Sequence, residues 1–146
     1  MGLFDKVLGK SEDKPLNAPE AFAGIALCAV AADGVITEEE AFSLGVNMMT
    51  KKLYSGMSDR DLNEIFRKLV KIVQKEGLPT LIQKSAEAVP AELKPTAFAV
   101  ATDLLLADGV FEDSEKKFLE SLQKALGISD QDALKIAEVI SIKNKG

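Results

Sequence analysis

The chain has no histidine, no tryptophan, one cysteine and one tyrosine among its 146 residues. Without histidine there is no imidazole to move protons near neutrality, no Ser-His or Cys-His nucleophile pair, and none of the commonest nitrogen ligand for zinc. Cys28, alone inside an apolar run, cannot form an internal disulfide. Arginine is equally scarce, with only Arg60 and Arg67. A net charge of −5 with so few arginines argues against a nucleic-acid partner, because phosphate binding needs clustered cations. No apolar stretch approaches the length that spans a bilayer. The opening MGLFDKVLGK also lacks the long apolar region and cleavage site of a signal peptide. The expected class is therefore a soluble, cytoplasmic domain, not itself transmembrane. Any metal site in it must be built from oxygen ligands, which favours Ca²⁺, Mg²⁺ or Mn²⁺ over zinc.

What the chain does have is apolar residues at helical spacing. Its hydrophobic content of 47% is enough for a core without disulfides or structural metal. Leu3, Phe4, Val7 and Leu8 lie on one side of a short amphipathic helix, which a polar linker (Lys10–Asn17) separates from the main body, so that 1–16 forms a leading segment and 17–146 the domain. Asn17, followed by Pro19 and Glu20, opens a helix to about Asp33 whose run AFAGIALCAVAA is apolar on every face, as in a buried central helix. Gly24 and Cys28 read there as packing positions. Thr37 with Glu40 opens a helix to about Leu53, with Phe42, Val46 and Met49 on its apolar face. Ser58 opens another, carrying Leu62, Ile65, Phe66, Leu69, Val70 and Val73 until Gly77. A short helix around 80–88 leads to Pro90 and Pro95. The run AFAVATDLLLAD then forms a second buried helix. Helices near 113–126 and 130–141 complete the chain, with VISIK at 139–143 open to an extended reading.

The chain also repeats itself. Placing residue 33 over 108 sets ADGVITEEE against ADGVFEDSE, with five identities in nine positions, and each copy follows a buried helix and precedes an amphipathic one. After a slip of four residues, Gly56-Met57-Ser58-Asp59 falls over Gly127-Ile128-Ser129-Asp130. The expectation is an all-α, single-domain bundle of about seven or eight helices with an internal pseudo-twofold repeat, its halves spanning 17–77 and 90–143.

Two readings of the repeated loop stand side by side. In the first, Asp33 and Asp108 cap the following helices while Glu40 and Glu115 complete capping boxes, which accounts for these residues without a ligand. In the second, each loop gathers carboxylate and carbonyl oxygens around a hard divalent cation. Glu38, Glu39, Glu112 and Asp113 add charge whose repulsion a cation would ease. Gly34 and Gly109 supply the left-handed residue that ends each buried helix. The spacing is not that of an EF-hand. Asp103, which interrupts an apolar helix, is either a hydrogen-bonded residue at a helix contact or a support for the loops. Cys28, at the aligned position of the first half, argues against a duplicated role.

Taken together, MGLFDKV, CAVAADGVITEEE and LLLADGVFEDSEKKF resemble the TerB family of tellurite-resistance proteins over essentially the whole chain. The resemblance implies an all-helical fold and a non-enzymatic part in tellurite resistance or a wider chemical-stress response. It further implies divalent-metal binding at Asp33, Glu40, Asp108 and Glu115, and a complex at the inner face of the cytoplasmic membrane with an integral membrane protein. A metal-independent helical scaffold for protein interactions is the alternative expectation.

Overall fold

The computed structural model describes residues 15–32, 44, 45, 48, 51–106 and 112–145. The amino-terminal segment with Leu3, Phe4, Val7 and Leu8, the Thr37–Glu40 box, and Phe42, Val46 and Met49 lie outside them. Among the described residues there are six α-helices and two short 3₁₀ turns, and no strand. The helices are α1 (Ala18–Val30), α2 (Asp59–Glu76), α3 (Leu78–Ala88), α4 (Lys94–Leu106), α5 (Asp113–Leu126) and α6 (Asp130–Lys143). The 3₁₀ turns are Lys52–Tyr54 and Ala91–Leu93. The all-helical expectation holds among the described residues, where six α-helices have both ends, against the seven or eight read from the sequence for the whole chain.

The first helix begins where the sequence indicates. Asn17 Oδ1 accepts the Glu20 backbone N–H at 2.8 Å, and Glu20 Oε1 accepts the Asn17 N–H at 3.0 Å. Each side chain thus satisfies a donor that a helix start leaves without an intrahelical partner. Every residue from Ala21 to Ala29 is buried, because α1 runs through the middle of the molecule and packs most extensively on α3 and α4. It ends at Val30, earlier than the sequence pattern indicates. The second apolar helix, α4, is less enclosed. Ala97, Phe98, Ala101, Thr102 and Leu105 are buried, while Val100 and Leu104 are only partly covered.

Helix α2 closes one side of the core with Leu62, Ile65, Phe66, Leu69 and Ile72, and Val70 and Val73 are half-buried beside them. The 3₁₀ turn before it and its middle turns hold α1 in place. Tyr54, just upstream, is buried, donates its hydroxyl to the Pro19 carbonyl at 2.8 Å and meets Phe22 edge-on. Lys68 pairs with Glu20 at 3.0 Å, so one carboxylate both caps α1 and ties it to α2. At the other side, α6 lies on α4, and residues 139–143 are helical rather than extended. Both ends of that contact are identifiable. Lys94 and Pro95 face Asp132 and Ile136 across a shared groove, while Asp103 meets Lys143 and Asn144. The two helices therefore run in the same direction, with α5 as the return.

The internal repeat appears in local geometry. Gly56 and Gly127 both have positive φ, 85° and 70°. Two residues later Ser58 and Ser129 each accept the backbone N–H of the third helical residue, Asp61 or Asp132, at 3.2 and 3.1 Å. A left-handed glycine followed by a serine cap is a reusable way to stop one helix and start the next.

Candidate functional site

The acidic loops connect α1 to its successor and α4 to α5. Asp33, Glu40 and Asp108, with Gly34 and Gly109, lie outside the described residues. Glu115 is described, as are Glu112 and Asp113 beside it. The chain enters α5 through Glu112 in extended backbone (φ −78°, ψ 159°), and Glu115 Oε1 accepts the Glu112 N–H at 2.9 Å. Glu112, aligned with Thr37, holds the N-cap position of α5, four residues beyond the Asp108 expected there as the cap. The local reason is that the third helical residue reaches back to the backbone, so Glu115 satisfies the first donor without help from upstream. Three carboxylates are then crowded at the positive end of the α5 dipole, where negative charge is favoured.

A carboxylate with one accepted N–H keeps further lone-pair positions, and an all-oxygen set suits a hard cation. Glu115 suits a hard cation by its chemistry; Asp108, its expected companion in the second loop, and Asp33 and Glu40 of the first lie outside the described residues. Among the described residues no three acidic or cysteine side chains converge in a way that would hold a metal.

Asp103 belongs to a helix contact. Its carboxylate accepts from Asn144 Nδ2 at 2.9 Å and pairs with Lys143 Nζ at 3.3 Å, which fixes the carboxyl end of α6 to α4. The buried Thr102 beside it donates to its own helix, at the Phe98 carbonyl, 2.8 Å away. Cys28 is fully buried, and desolvation pushes its thiol from the ordinary 9.0 up to about 12. Such a thiol is a core side chain rather than a nucleophile at neutral pH. Tyr54 is raised in the same direction by burial.

A groove of about 470 Å³ opens where the turn 127–129 meets the start of α4, lined by Lys94, Pro95, Leu126, Ile128, Asp132 and Ile136 among others. Glu112, Asp113 and Glu115 do not line it. The sequence pattern gave no hint of this groove, since it joins residues more than thirty positions apart. No described helix is long and apolar enough to cross a membrane.

No curated protein and no solved structure matches the chain. The family model described as tellurite resistance protein TerB matches residues 20–138, from the capping glutamate of α1 into the last helix and through both acidic loops. That span covers nearly all of both repeated halves and all but the ends of the chain, and the all-helical fold agrees with it: the chain belongs to the TerB family of tellurite-resistance proteins.

Proposed function

We propose that the protein serves tellurite resistance, or a wider stress response, as a non-enzymatic module that binds a divalent cation and a partner through its two acidic loops. Asp33 and Glu40 supply the oxygens of the first loop, and Asp108 and Glu115 those of the second. The observation that carries this reading is the duplication of the loop at equivalent places, each following a thirteen-residue core helix. Helix carboxyl ends are negative, and a cation between the end of one helix and the start of the next compensates both the dipole and the added carboxylates. Occupancy would brace each core helix against its successor and couple metal to partner affinity. Ca²⁺, Mg²⁺ and Mn²⁺ suit the donor set. The expected setting is the cytoplasm, with an integral membrane protein at the inner face of the cytoplasmic membrane as the partner.

A second reading has its own support in the Glu115 to Glu112 bond, which gives one of the four carboxylates a capping task. On that reading the loops are helix punctuation and the molecule is a metal-independent interaction scaffold. Calorimetric titration with Ca²⁺, Mg²⁺, Mn²⁺ and Zn²⁺ separates the two. The first reading expects binding of a hard cation that is lost when Asp33→Asn is combined with Asp108→Asn. Absence of heat with any ion, or heat unchanged in the double variant, overturns it. Partner capture that survives chelation favours the scaffold.

A further inference from the structure

Residues 65–75 of α2 carry four cations, Arg67, Lys68, Lys71 and Lys75, and no acid, in a chain whose net charge is −5. Lys68 is engaged with Glu20. The other three are exposed, and among the described residues none has a carboxylate within ion-pair distance. Helical spacing puts them on one stripe: Arg67, Lys71 and Lys75 span an arc of about 80° over roughly 12 Å of helix, while Arg60, about two turns earlier on the same line, is paired with Glu64 at 3.9 Å and adds no free charge to it. This stripe is turned away from Leu62, Ile65, Phe66, Leu69 and Ile72, which hold α2 in the core. Like charges on successive turns repel by a few tenths of a kcal/mol per pair. The negative end of the helix dipole accounts for Lys75 in the last turn of α2, but its effect fades before Lys71 and Arg67.

We infer that the exposed Arg67-Lys71-Lys75 ridge of α2 docks the protein on an anionic lipid surface by electrostatics alone. Charge complementarity calls for an anionic partner, and the composition of the ridge selects which kind. A specific protein interface is centred on buried aromatic or aliphatic anchors ringed by polar residues. Here the exposed neighbours along the stripe are Asn63, Glu64 and Gln74, and the large apolar side chains that are exposed among the described residues, Leu134, Val139 and Ile142, belong to α6. A ridge without an anchor suits a laterally mobile array of headgroups, which adjusts to the cations. The apolar face of α2 is occupied by the core, so the helix adheres without inserting, unlike an amphipathic helix that buries its apolar side in lipid.

The inference is independent of metal at the acidic loops, and its test is run with EDTA so that no divalent ion bridges carboxylate to lipid. The full chain is sedimented with vesicles of phosphatidylcholine alone or with about 30% phosphatidylglycerol, at about 20 and about 300 mM salt. Binding is expected only to the anionic vesicles and only at low salt. Arg67→Gln, Lys71→Gln and Lys75→Gln together should lower the partition coefficient about tenfold or more, while Lys117→Gln, Lys124→Gln and Lys135→Gln, an equal loss of charge elsewhere, should lower it less than about threefold. Arg67→Lys with Lys71→Arg and Lys75→Arg should restore wild-type partition, since lipid reads charge rather than hydrogen-bond geometry. No anionic-vesicle binding, equal binding to neutral vesicles, equal losses in the two glutamine triples, or capture by a polyglutamate peptide without vesicle binding would each overturn it.

Discussion

Replacing Gly24 by alanine would drive a methyl group into Ser85, whose Oγ and Cβ lie directly over the glycine across the contact between α1 and α3. The helix propensity of alanine works the other way, by about 1 kcal/mol. The clash should win, because Ser85 is fully buried and its Cβ, which no side-chain rotation moves, would lie 3.2 Å from the added methyl. Ser85 Oγ also lacks a hydrogen-bond partner among the described residues, unlike Thr102, which bonds back to its own helix. We therefore expect Gly24→Ala to cost about 1–2 kcal/mol, Ser85→Ala to be neutral or stabilising, and the double variant to recover at least half the loss, read by urea denaturation. That Gly24 is a packing position was legible in its apolar surroundings. Its partner was not, since the contact joins residues sixty-one positions apart.

Cys28 makes a prediction of opposite character, about pH rather than shape. Its folded pKa is raised, so the native state holds the thiol proton more tightly than the unfolded chain does. The associated stability is complete below the unfolded value near 9.0 and is lost as pH rises towards about 12. Urea midpoints should fall across that window, and the fall should be shallower in Cys28→Ala, whatever constant offset the smaller side chain introduces. Tyr54 contributes in the same sense, so some alkaline loss should remain.

Among the elements, those with local signals match their sequence pattern best. Capping pairs sit three residues apart, which is why Asn17 with Glu20 and Ser58 could be read directly, whereas Ser129 was legible only as the counterpart of Ser58 in the repeat. The start of α5 shows the limit of such reading. Threonine at 37 announces a cap, whereas its counterpart Glu112 is an unfavoured residue there, and the start of α5 is organised by Glu115 instead. Residues 139–143 were ambiguous because Val139, Ile140 and Ile142 suit a strand as well as a helix. Their conformation is decided by tertiary contact, as α6 rests on α4 and is tied at its far end by Asp103. Asp103→Ala should therefore leave the core intact, at a cost of about 0.5–1 kcal/mol, while amide exchange at 140–144 accelerates. Unchanged protection there would show that apolar contact alone holds the end of α6.

For the molecule as a whole, the central place of α1 was legible because a helix apolar on every side has to be surrounded. The lesser burial of α4 was not, since Thr102 and Asp103 are the only polar residues in its apolar run, and Asp103 takes its partners from the far end of α6. The candidate metal set was legible only as a repeated pattern, and Glu115 is its one member in a described position. The basic ridge lies in a segment whose periodicity had already been explained by the apolar residues between the cations. Its placement gives one exposed stripe of α2 a local excess of positive charge in an acidic chain, and such a patch has a direction. An anionic surface repels a molecule of net charge −5 in most orientations but pulls on the side that presents α2. Approach then becomes an act of alignment: the long-range field turns the molecule before anything touches, and a collision with the wrong side forward is rejected before contact.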